Sequence, residues 1–154
     1  MLILKKTSNL LFLFFFVITG IYAQFPQQQA QPTEVSDGEL EHFADALSTI
    51  KIIEQQVQNK MVSAVQKSGI EIQRFNDIFE ASQNPDKEVD ASDEEYEQFN
   101  KAKEAIGEIQ GEAQKDMQKV IKDNELTVNR YRQIMMAVQN DSELQQKLQE
   151  EMEN

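Results

Sequence analysis

From Val35 onward, apolar positions recur every three or four residues: Leu40, Phe43, Leu47, Ile50, Ile53, Val57, Met61, Ala64 and Val65. Such spacing lays one stripe along a helix, because residues i, i+3, i+4 and i+7 share a face. The stripe continues for about seven turns until Gly69, predicting a helix about 46 Å long at about 1.5 Å of rise per residue. Gly69 suits its C-terminal cap, since glycine takes a positive φ without steric cost. A shorter helix is predicted at roughly 71–83, with Ile72, Phe75, Ile78 and Phe79 on its apolar face. The acidic segment around Pro85 then breaks the periodicity.

Both long patterns begin with the same signal. Ser36 with Glu39, and Ser92 with Glu95, have the spacing of a capping box, in which the serine oxygen accepts from the glutamate amide and the glutamate reaches back to the serine amide. Behind them, Leu40 and Phe43 on one side and Tyr96 and Phe99 on the other are expected to be the first rungs of two matching apolar seams. Sliding the chain until Val35 falls on Ala91 aligns 35–84 with 91–140 without a gap, and 15 of 50 positions are identical. Arg74 meets Arg130 and Ile53 meets Ile109 in this alignment, while Phe75 meets Tyr131. The reading is an internal duplication of a long-helix plus short-helix hairpin.

The expected fold is therefore all-α: two such hairpins in a pseudo-twofold four-helix bundle, followed by a short fifth helix. Its parts are repeat 1 at 35–84, an acidic linker at 85–90, repeat 2 at 91–140, and a C-terminal helix at 142–153 carrying Leu144, Leu148 and Met152. The short helices cover about half of each long seam. The other half either pairs between the two units or with another copy of the chain.

The segment 1–23 follows a different pattern. Lys5 and Lys6 precede the apolar run Leu10 to Ile21, and Ala23 offers a small residue before Gln24. This is the pattern of a secretory signal peptide, too short in its apolar stretch for the roughly 20 residues of a membrane span. A flexible Gln- and Pro-rich spacer is expected over 24–34, leaving 35–154 as a single helical domain. Cleavage after Ala23 removes two lysines from the 15 Lys plus Arg, leaving 13 against 27 Asp plus Glu, a balance of −14. Phosphate backbones and anionic lipid would be repelled by that surface, so neither nucleic acid nor membrane-surface binding is expected, and signal cleavage is expected to leave no integral membrane association. Without cysteine, an exported chain must be held by packing.

Candidate chemistry is sparse. His42 is the single histidine, and its counterpart is Gln98, so it reads as a solvated surface residue. Starting at Asp86, oxygen-bearing residues fall at the ligand positions of a calcium loop: Asp86, Glu88, Asp90, Ser92, Glu94 and Glu97. Ala91 stands where the sharp turn of such a loop needs glycine, so an acidic linker capping a helix is the preferred reading. Arg74 and Arg130 are expected to form bidentate pairs with carboxylates of neighbouring helices. Met61 and Met117 fall on the seams as packing residues, whereas Met136, beside Met135, falls off the seam; a copper site on thioethers ranks behind core packing. No catalytic residue and no cofactor are expected.

The phrases "VSDGELEHFADA", "MVSAVQKSGIEIQRFNDI" and "ELTVNRYRQIMMAVQNDSELQQKLQ", behind a signal peptide, resemble the bacterial exported family of domain of unknown function 4168 over nearly all of residues 35 to 150. The resemblance implies a helical, exported bacterial domain with no assigned activity. Together these readings point to a non-enzymatic envelope protein, periplasmic or secreted, acting as a helical protein-binding or structural module. Its expected partner is another protein, with self-association included. A periplasmic holding chaperone or stress adaptor is the alternative, and metal binding ranks third.

Overall fold

The computed structural model describes residues 34–84 and 86–153. The predicted signal peptide and all of the spacer except Glu34 lie outside them. Among the described residues the elements are five helices: α1 (Asp37–Ser68), α2 (Ile72–Gln83), α3 (Asp93–Asp123), α4 (Val128–Asn140) and α5 (Ser142–Glu153).

Local chemistry fixes where each helix begins and ends. Ser36 caps α1 and Ser92 caps α3, each with its reciprocal glutamate at the third helical position. The Thr127 side chain accepts from the Arg130 amide at 3.0 Å and so caps α4. Gly69 ends α1 in the left-handed region, at φ 94°. At the end of α3, Glu125 takes the same region at φ 59°, and the Leu126 amide donates back to the Ile121 carbonyl at 3.1 Å. These bonds satisfy helix-end groups that have no partner within the helix.

The long helices α1 and α3 run antiparallel and share one seam. Leu40, Phe43 and Ile50 near the start of α1 meet Ile121 near the end of α3. Val57 and Met61 meet Ala113 in the middle, and Val65 meets Phe99 and Ala102 at the far end. The seam is thus used between the two long helices. At one end α2 adds Phe75 and Ile78 to the core. At the other, α4 adds Tyr131, Ile134 and Val138. The middle cluster draws on α1 and α3 alone, because no short helix contributes to it.

Leu144 and Leu148 of α5 pack against the cluster that contains Leu40 and Val138. Lys147 also reaches Asp37 at 3.1 Å. At the opposite end the expected pairing of Tyr96 with Phe99 in the seam does not hold: Phe99 is buried, but Tyr96 is 41% exposed. The physical cause is the missing cover. Leu40, 2% exposed, belongs to the cluster that α5 packs against, whereas beside Tyr96 the chain passes through the irregular segment 86–92.

Candidate functional site

Two arginine clamps join the helices. Arg130 on α4 donates from Nε to Glu39 Oε1 at 2.6 Å and from Nη2 to Glu39 Oε2 at 2.8 Å, and Nη2 also reaches the Glu34 carbonyl at 2.9 Å. Arg74 on α2 repeats this on Glu95, at 2.6 and 3.1 Å, with Nη2 also bonded to the Asp90 carbonyl. Each glutamate is the capping-box residue of a long helix, so one carboxylate serves the helix start and a guanidinium at once. The side-chain hydrogen bond from Arg130, then the Ser36 amide, lowers the Glu39 carboxyl to about 2. For Glu95 the same order of causes, Arg74 and then Ser92, also gives about 2. Beside each clamp lies an aromatic pair: Phe43 with Tyr131 at 4.8 Å, and Phe75 with Phe99 at 5.0 Å, both tilted.

His42 Nε2 lies 3.8 Å from Glu125 on the surface. Asp90 offers its carbonyl to Arg74, Ser92 caps α3, and Glu94 accepts from Gln98 at 3.4 Å. The described residues contain no group of three or more His, Cys, Asp or Glu side chains arranged to hold a metal ion. Met61 is buried, while Met136 is 48% exposed. No helix among the described residues is long and apolar enough to cross a membrane.

Concavities among the described residues include the following two. A cavity of about 630 Å³ lies between the end of α2 and the irregular segment, lined by Ile78, Ala81, Lys87, Val89 and Tyr96 among others. A smaller groove of about 490 Å³ runs between α1 and α3, with Lys60, Lys67 and Lys101 around Ala64, Ala105 and Ile109. The sequence reading did not single out these lysines, because each looks like an ordinary solvated residue until α1 and α3 are laid side by side.

The family model for Domain of unknown function (DUF4168) matches residues 19–88 and 36–148. No curated protein and no solved structure matches the chain. The second of the two family matches spans α1 to α4 and most of α5, the whole framework that the clamps hold together. The chain belongs to the family described as Domain of unknown function (DUF4168).

Proposed function

We propose that this is an exported, non-enzymatic envelope protein, a duplicated helical hairpin that works through contacts with other proteins. The observation that carries this reading is the use made of its strongest charged groups. Arg74 and Arg130 grip carboxylates at helix starts, and they stand at equivalent positions of the two repeats. A rigid pair of long helices is what those bonds sustain, and the open groove between them is a contact surface rather than an enclosed reaction chamber.

The duplication and its pseudo-twofold bundle belong to this proposal. Support comes from correspondences under the same offset: Arg74 with Arg130, Glu95 with Glu39, the Asp90 carbonyl with that of Glu34, and one aromatic pair with the other. In each case a short helix binds the long helix of the opposite hairpin. The two hairpins then form a four-helix unit by exchanging partners, with α5 as an addition at one end.

Crosslinking in the native envelope, followed by capture of the protein, tests the reading. It is expected to yield defined protein adducts. A hydrolytic or transfer activity of the purified protein that disappears when one polar side chain is changed would overturn it.

A further inference from the structure

The groove between α1 and α3 gathers Lys60, Lys67 and Lys101 in a chain with 27 acidic and 15 basic residues. None of the three takes part in an ion pair among the described residues. In the repeat alignment their counterparts are Asp116, Asp123 and Asp45. All three charges invert, although Asn59 and Ser63 of the groove meet Lys115 and Lys119, so the counterpart is acidic only in part. The apolar floor is partly kept, Ile109 matching Ile53 and Ala64 matching Val120. The aspartates are exposed. Asp123 is already held by Lys119 at 2.5 Å, which leaves Asp45 and Asp116, beside Lys115, as the remaining acids of that patch.

The placement of these groups follows from symmetry. A twofold that exchanges two antiparallel helices lying side by side runs perpendicular to their common plane. Such an axis keeps a site on the same face and moves it to the other end. The basic groove and its acidic counterpart therefore share one face of the α1–α3 layer, at opposite ends.

We propose that this face docks on the same face of a second copy of the chain, with the lysine groove of each over Asp45 and Asp116 of the other. A twofold lying in the interface pairs opposite ends twice, giving a closed, isologous contact. Stacking like ends would set lysines against lysines, so charge fixes the register as well as the attraction. Ala64, Ala105 and Ile109 supply the apolar surface that is removed from water. This inference rests on the duplicated-hairpin reading above and names the partner it leaves open.

Sedimentation velocity on the purified protein tests it at low and high salt. A dimer is expected; salt screens both the exposed pairing charges and the general repulsion between two acidic chains, so the charge-reversal variants rather than the salt response identify the contact. The Lys60→Asp/Lys101→Asp variant makes both ends acidic, and the Asp45→Lys/Asp116→Lys variant makes both ends basic. Each is expected to sediment alone as a monomer, and an equimolar mixture as a heterodimer. A monomeric wild type, a reversal variant that dimerises alone as the wild type does, or a mixture that stays monomeric overturns the proposal. A monomeric wild type would leave the wider reading standing, since envelope crosslinking reports on foreign partners separately.

Discussion

Arg130 and Glu39 stand 91 positions apart in the chain and meet through two hydrogen bonds, at 2.6 and 2.8 Å. Their side chains keep only 22% and 33% of their exposure, so water screens the pair incompletely. Arg130→Ala is expected to lower stability by about 1 kcal/mol, the discounted value for a partly screened bidentate pair. Arg130→Lys should recover only part of it, because an ammonium cannot grip both oxygens in a fork. Urea denaturation of both variants checks this, and a lysine variant as stable as wild type would count against the bidentate geometry.

Acid should loosen both clamps. Glu39 and Glu95 are lowered from 4.5 to about 2 in the folded protein. A depressed carboxyl stabilises the fold above its unfolded value and loses that contribution as protons return. Stability is therefore expected to be complete above about pH 4.5 from these groups, and to fall progressively as pH drops towards 2. The Arg74→Ala/Arg130→Ala variant should show a shallower decline over the same window. Thermal melts at stepped pH measure the difference.

The two helix ends in the left-handed region give opposite expectations. Glu125 holds φ 59° with a side chain, so Glu125→Gly should stabilise by about 1 kcal/mol. Gly69→Ala should destabilise by about the same amount, since a Cβ there would lie 3.2 Å from Gln98 Nε2 at φ 94°. Equal and opposite shifts in melting temperature are the expected pattern. The His42 contact with Glu125 is exposed and spans 3.8 Å, so its loss should scarcely reduce the gain.

Leu40 and Tyr96 occupy matching positions in the repeat alignment but differ in burial, at 2% and 41% exposure. Leu40→Ala is expected to cost about 3 kcal/mol through lost burial and the cavity left behind. Tyr96→Ala should cost less than about 1 kcal/mol, as expected away from a packed core. Stopping the chain after Asp141 should destabilise it as well, because Leu144 and Leu148 would no longer pack against the cluster containing Leu40. Denaturant midpoints for the three variants decide whether α5 is the cover that separates the ends.

Much of the helical framework was legible because its signals are local. The Ser36 and Ser92 capping boxes, Gly69, and the three-and-four spacing of the seam each act within a turn or two of helix. The exposure of Tyr96 has a nonlocal cause: its counterpart Leu40 belongs to the cluster that α5 packs against, and among the described residues no equivalent helix lies between α2 and α3. Arg74 and Arg130 could be expected to bind carboxylates, yet the choice of Glu95 and Glu39 depends on short helices packing across hairpins. The lysine groove is likewise a product of antiparallel packing. Lys101 joins Lys60 and Lys67 around one groove only when α3 runs back along α1.

A photoreactive amino acid placed at Lys60, in the native envelope, tests most directly whether the protein acts through protein contacts. A defined protein adduct is expected from this groove position, and a weaker one or none from an exposed position outside these two concavities, such as Glu41. Equal, diffuse labelling from both positions, or no protein adduct at Lys60, would contradict it.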